Sequence, residues 1–207
     1  PLLLTKTEVV ATSGARDAYD YTTPGSKYEA LHRSYDAQGV MRLYEQKNAD
    51  GSLDYVKSWK TDGSVVVTDY DSTGQFLSAT RTNAAGIVDY AQTKVSDGTL
   101  AKFYDAGGLL TKTEQVHLDQ HRDVYDYGFA SKTVASAHRS YDAAGKLVVY
   151  ETYFSTGKLD LSQVWNADGS MTTKDYDSAG KLVSTVELRA DGSHTTCFDA
   201  YGTVTKS

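Results

Sequence analysis

A four-residue pattern ending in glycine returns every ten to twelve residues along most of this chain, and it leaves few folds open. It reads DAQG, NADG, KTDG, DSTG, NAAG, VSDG and DAGG, with glycines at 39, 51, 63, 74, 86, 98 and 108. It resumes as DAAG, FSTG, NADG, DSAG, RADG and DAYG, with glycines at 145, 157, 169, 180, 192 and 202. An Asp or Asn at the first position accepts a hydrogen bond from the backbone two residues on. A Gly at the fourth takes the left-handed conformation through which a type I turn rejoins an antiparallel ladder. Such turns predict hairpins, and the residues between them are long enough to be strands.

A coarser repeat lies over the fine one. Shifting the chain by 106 superimposes TKTE at 5–8 on 111–114, RDAYDY at 16–21 on RDVYDY at 122–127, and HRSYDAQG at 32–39 on HRSYDAAG at 138–145. Tyr44-Glu45 meets Tyr150-Glu151, and Trp59 meets Trp165. The fold class expected is all-β: antiparallel β-hairpin meander repeats arranged as a tandem duplication of about 106 residues. The units are 1–109 and 110–207, as two lobes or as one continuous sheet or barrel, with the second copy short of about one strand near its end. The intervening segments agree: in SLDYVKSW, Leu53, Tyr55, Lys57 and Trp59 share one face, which predicts one moderately buried face and one wet face.

Composition excludes several function classes. Net charge is −6 with no basic run, which argues against nucleic acid. Of 21 Asp, eleven sit in the glycine-ended turns, so the acidity is largely turn chemistry. One cysteine, Cys197, allows neither an internal disulfide nor a cysteine-cluster metal site. No apolar run approaches the ~18 residues of a membrane-spanning helix. The opening PLLLTKTE lacks a basic start and an initiator Met, as expected of a piece of a longer chain.

Residues 4–34 and 110–140 lack the turn pattern and are expected to hold two longer strands joined by an irregular loop, TTPGSK in one copy and GFASK in the other. Departures from a scaffold's own rule tend to carry function. Alternation puts Asp17, Tyr19 and Tyr21 on one face and Arg16 and Asp20 on the other, repeated by Asp123, Tyr125 and Tyr127 against Arg122 and Asp126. Such a set could bind sugar hydroxyls or a uronic acid, with Arg matching the carboxylate; the competing account is a cross-strand Arg–Asp pair with Tyr packing. His32 and His138 follow the loops. Trp59 and Trp165 stand at equivalent positions before a turn, as sugar platforms or as caps on a small core beside Leu53 and Leu159.

Catalysis finds less support. No nucleophile elbow, HExxH or phosphate-cradling loop is present. Two carboxylates at glycosidase spacing would arise by accident among so many turn Asp residues. His117 and His121 in HLDQH would meet on a helix but lie ~13 Å apart on a strand, so no metal site is expected there. Turn clusters such as DYDSTG offer oxygens for Ca²⁺ but lack a loop of alternating ligands ending in Glu.

The recurring YDxxGKL followed by DGS resembles the Tyr-Asp and MORN-like β-hairpin tandem repeats of large secreted bacterial proteins. More narrowly, HRSYDAxG…NADGS…YDSxG is similar to repeat regions accompanying polysaccharide-degrading enzymes and secreted calcium-dependent proteins. The Gly-rich calcium-binding nonapeptide of the latter is absent. The resemblance implies a non-catalytic carbohydrate-binding module of a larger secreted protein, with polysaccharide as partner, covalently linked neighbouring modules, and no cofactor beyond Ca²⁺ at the turns. Two equivalent sites would gain from multivalency. The alternative is a structural spacer or adhesive repeat without a small-ligand site.

Overall fold

The computed structural model describes residues 5–21, 27–128, 135–191, 197–199 and 203–206. Among them are 18 β-strands and no helix. Contacts divide the chain into two compact units, Pro1–Lys94 with Ala106–Gly108, and Val95–Asp105 with Leu109–Ser207.

In the first unit run β1 (Lys6–Val10), β2 (Arg16–Asp20), β3 (Leu31–Tyr35), β4 (Met41–Lys47), β5 (Leu53–Trp59), β6 (Val65–Tyr70), β7 (Phe76–Thr82) and β8 (Val88–Val95). Each pairs antiparallel with the next. The second holds β9 (Gly98–Tyr104), β10 (Leu110–Val116), β11 (Arg122–Asp126), β12 (Ala137–Tyr141), β13 (Leu147–Tyr153), β14 (Leu159–Trp165), β15 (Met171–Tyr176), β16 (Leu182–Leu188), β17 (Cys197–Asp199) and β18 (Val204–Lys206). These too pair in chain order. The register repeats with the sequence: Lys6 faces Asp20 as Lys112 faces Asp126, and Arg16 faces Tyr35 as Arg122 faces Tyr141. β17 and β18 stand 106 residues after parts of β8 and β9, so the second copy is not a strand short.

The turns work as their chemistry requires. Asp36 Oδ1 accepts from the backbone N–H of Gln38 at 3.0 Å and of Val40 at 2.9 Å, while the Gly39 N–H closes the turn on the Asp36 carbonyl at 2.9 Å. Gly39 has φ 79°, and the ladder slips by one residue between Ser34 and Tyr35 to absorb the turn. Asp142 repeats this geometry with Ala144 and Lys146. Glycines 192 and 202 lie outside the described residues.

Three further expectations need correction. The stretches 4–34 and 110–140 do contain turns: β1 and β2 are joined through Thr12–Gly14, and β10 and β11 through Leu118–Gln120. The first, ATSG, has the same form as FSTG and was legible; the second escaped the pattern because Gln120, at φ 71°, stands where glycine does elsewhere. Residues 22–26 and 129–134 of the expected loops lie outside the described residues. Second, Gly98 belongs to β9 rather than to a four-residue turn. It has φ 110°, and a Cβ there would meet the Val116 carbonyl oxygen at 2.0 Å, so backbone passes where a side chain would stand.

The third concerns burial. β5 was expected to hide one face, yet all its residues from Leu53 to Trp59 are half-buried. Among the described residues, strands in each unit contact only their neighbours in the chain, so their side chains are shielded by cross-strand neighbours rather than by a second layer. The only well-buried apolar side chains among the described residues are the small or modest Ala18, Ala101 and Val124. With so little apolar core, polar ties between strands carry more of the specification.

Candidate functional site

The most heavily tied region of each copy spans the strands around RDxYDY and HRSY. Its register puts Asp17, Tyr19, His32, Ser34 and Glu45 on one face, because Tyr19 lies opposite His32 and His32 opposite Glu45. His32 Nδ1 is 2.7 Å from Glu45 Oε2, and its Nε2 is 3.1 Å from Asp17 Oδ1. Its ring stacks on Tyr19, with centroids 4.6 Å apart and planes 7° from parallel. A carboxylate on each ring nitrogen is satisfied by a ring that donates from both, the imidazolium. Burial opposes that charge, but hydrogen bonds to Glu45 and Asp17 outweigh it and raise the His32 pKa. Asp17 is in turn held below the usual carboxylate range by hydrogen bonds from His32 and Ser34.

The opposite face carries the arginines. Arg33 is paired with Asp20, diagonally across β2 and β3. Arg16 pairs with Glu8 at 3.0 Å and lies 4.3 Å over the centre of the Tyr35 ring. The guanidinium expected to greet a uronic acid is thus already engaged by a carboxylate and an aromatic face of its own sheet.

The second copy rebuilds both faces. His138 Nδ1 is 3.0 Å from Glu151 and its Nε2 3.1 Å from Asp123, with Tyr125 stacked at 4.4 Å. Arg139 pairs with Asp126, and Arg122 pairs with Glu114 at 3.2 Å and lies 4.4 Å over Tyr141. Nε of Arg33 and of Arg139 is buried without a hydrogen-bond partner, so even this imperfection is duplicated.

The copies differ at one end of the cluster. In the second, Asp123 Oδ2 also meets His117 Nε2 at 3.0 Å and His121 Nε2 at 3.7 Å. His117 and His121 stack with ring centroids 3.7 Å apart. They meet because they flank the β10–β11 turn, where the His117 N–H donates to the His121 carbonyl at 2.9 Å. The expectation of a wide separation assumed one continuous strand. The turn was in fact legible, since shifting ATSG at 11–14 by 106 lands on HLDQ. His117 Nδ1 reaches Asp97 at 2.7 Å, and His121 Nδ1 is hydrogen-bonded to Asp119. The Asp97 contact, opposed by burial and joined by Asp123, raises the His117 pKa. Burial resists ionisation of Asp123, yet Ser140, His138 and His117 hold its pKa down. Donor atoms of His117, His121 and Asp123 lie within 4.8 Å of one another, close enough to share an ion.

The remaining candidates are more scattered. Trp59 and Trp165 are half-buried at the ends of β5 and β14, facing Val65 and Met171, and Lys57 Nζ stands 5.0 Å from the Trp59 ring centre. Tyr21 follows β2, its N–H donating to the Thr5 carbonyl at 2.9 Å. Tyr127 stands in the same place after β11, its hydroxyl 3.4 Å from Thr113 Oγ1. Together with Tyr125, Lys102, Gln115 and Leu100, Tyr127 lines a shallow depression of about 370 Å³. Sequence reading missed Glu45 and Glu151 as partners of the histidines, although the repeated Tyr-Glu pair marked the position.

No family model matches this chain, and no curated protein matches it. Among solved structures it is similar to a chain of the Photorhabdus luminescens Tc holotoxin pore, at 12% identity and a TM-score of 0.19, over 94% of this chain and 15% of that one. A chain of the TcdB2-TccC3 crystal structure is similar at 9% identity and a TM-score of 0.18, over 89% of this chain and 14% of that one. No helix among the described residues is long and apolar enough to cross a membrane.

Proposed function

We propose that this chain is a non-catalytic β-hairpin repeat module, a spacer or scaffold segment of a larger secreted bacterial protein, whose duplicated polar clusters serve to fasten its own strands. One observation carries this reading: His32 and Arg33, with His138 and Arg139 106 residues on, are each engaged by carboxylates of adjoining strands in the same geometry. A binding site needs polar groups left to offer a ligand, and these are spent on one another. Side chains that fix register are also what a sheet with so small an apolar core requires.

The depression beside Tyr125 and Tyr127 favours a second reading, carbohydrate binding, since it joins two aromatic rings to Lys102 and Gln115. Affinity electrophoresis through gels containing neutral and acidic polysaccharides separates the two. The spacer reading expects no retardation, and Trp59→Ala or Trp165→Ala to lower the melting temperature by several degrees. Retardation that disappears in Tyr127→Ala, Trp59→Ala or Trp165→Ala with normal melting would overturn it in favour of carbohydrate binding.

A further inference from the structure

We propose that His117, His121 and Asp123 form a Zn²⁺ site that belongs to the second copy alone, with Nε2 of each histidine and Oδ2 of the aspartate as ligands. The inference does not depend on the spacer reading, although it shares Asp123 with the His138 cluster, and it uses different residues from the depression.

Geometry comes first. Zn²⁺ bound at ~2.0–2.1 Å to nitrogen and oxygen in a tetrahedron holds its ligand atoms about 3.3 Å from one another. Asp123 Oδ2 already lies 3.0 Å from His117 Nε2 and 3.7 Å from His121 Nε2, values on either side of that spacing. An ion entering here replaces the proton shared between the carboxylate and a ring, and one of the two stacked imidazoles must turn so that both Nε2 lone pairs converge on it.

The groups behind the ligands are also in place. A metal-bound histidine characteristically gives its other N–H to a carboxylate, which fixes the ring and leaves the ligating nitrogen as a lone pair. His117 Nδ1 is 2.7 Å from Asp97, and His121 Nδ1 is hydrogen-bonded to Asp119. Asp123 is oriented through its other oxygen, 3.1 Å from His138 Nε2. All three candidate ligands therefore have supporting partners, and the side chain of His121 is 36% exposed, which gives an ion a way in.

The first copy supplies an internal comparison. The positions 106 residues before His117, His121 and Asp119 are Ala11, Ala15 and Ser13, while Asp17 and His32 remain. Fastening the strands accordingly needs neither His117 nor His121, and strand pairing alone does not explain their presence. A set of two imidazoles and one carboxylate suits Zn²⁺ and its neighbours in the first transition row. Three protein ligands leave a fourth position for water. In a chain with a single cysteine, the ion would clip the β10–β11 hairpin where a disulfide cannot.

The test is isothermal titration of the whole chain with Zn²⁺ at about pH 7.5, with the protons released by the ligands counted in the heat, in a Cys197→Ser background that removes the only thiol. One equivalent should bind, and both His121→Ala and His121→Gln should weaken it at least tenfold while keeping the metal-free melting temperature. Co²⁺ in place of Zn²⁺ should give the intense visible absorption of a tetrahedral ion, lost in the same variants. Absence of saturable binding, or affinity that both variants leave within twofold of the parent, overturns the site.

Discussion

The two copies of the His clamp share five positions and differ at three, Asp119 standing where the first copy has Ser13. Asp17, Tyr19, His32, Arg33 and Glu45 recur as Asp123, Tyr125, His138, Arg139 and Glu151 with the same partners. Ala11 and Ala15 are replaced by His117 and His121, which turn a three-member chain into a network running from Glu151 through His138 and Asp123 to His117 and Asp97. A duplicated arrangement argues for the fold, because both copies must meet the same structural demand. An arrangement present once argues for something else.

The largest expected effect lies where the copies share nothing. Gly98, whose counterpart 106 residues on is Val204, leaves no room for a Cβ against the Val116 carbonyl. Gly98→Ala should cost the second unit ~3 kcal/mol or more, from a φ that disfavours side chains and a backbone clash. Urea unfolding in a Trp59→Phe background, read by Trp165 fluorescence, would show it; a midpoint unchanged from the parent would refute the close approach. Gly39→Ala meets nothing within 4 Å and should cost only its φ of 79°, about 1 kcal/mol.

Next comes the clamp itself. His32→Ala leaves Asp17 and Glu45 without their shared cation and should cost about 2 kcal/mol. His138→Ala should cost about half as much, because Asp123 keeps His117 and Glu151 keeps the Tyr153 hydroxyl at 2.6 Å. Equal losses in the two urea titrations would mean that the extra histidines do not reach Asp123.

The pH response follows from the same contacts. His32 and His117 have folded pKa values raised above the unfolded ~6.5, so their contribution is complete below that pH and is lost as pH rises through the folded values. Asp17, Asp97 and Asp123 have lowered values, so theirs is present above ~4 and is lost as pH falls through the folded values. Melting temperature should peak between about pH 4 and 6.5 and decline toward alkaline pH. A flat profile from pH ~6 to ~9 would contradict the clamp as drawn. The smallest effect concerns the turn: Gln120→Gly, restoring the glycine that Gly14 supplies in the first copy, should stabilise the second unit by ~0.5–1 kcal/mol.

Much of the fold was legible because a hairpin turn is local chemistry. Asp36 and Gly39 lie within four residues of everything they bond, so a short pattern suffices to find them. The clamp was only half legible. RDxYDY and the two histidines stood out, but Glu45 comes from a strand 13 positions beyond His32 and is identified as a partner only once the ladder is aligned. The histidine pair was misread for a related reason: whether two residues four apart meet or diverge depends on whether a turn lies between them, and Gln120 concealed that turn. Burial was misjudged because period-two alternation implies a covering layer, which contacts confined to successive strands do not provide.

That confinement to successive strands has a consequence for how the chain is made. Among the described residues, the partners of each strand within a unit are the strands next to it in the chain, so no ladder there waits for a distant segment. Low contact order of this kind is associated with rapid folding, and it lets structure grow in the direction of synthesis. Each new hairpin can zip onto the last as it leaves a ribosome.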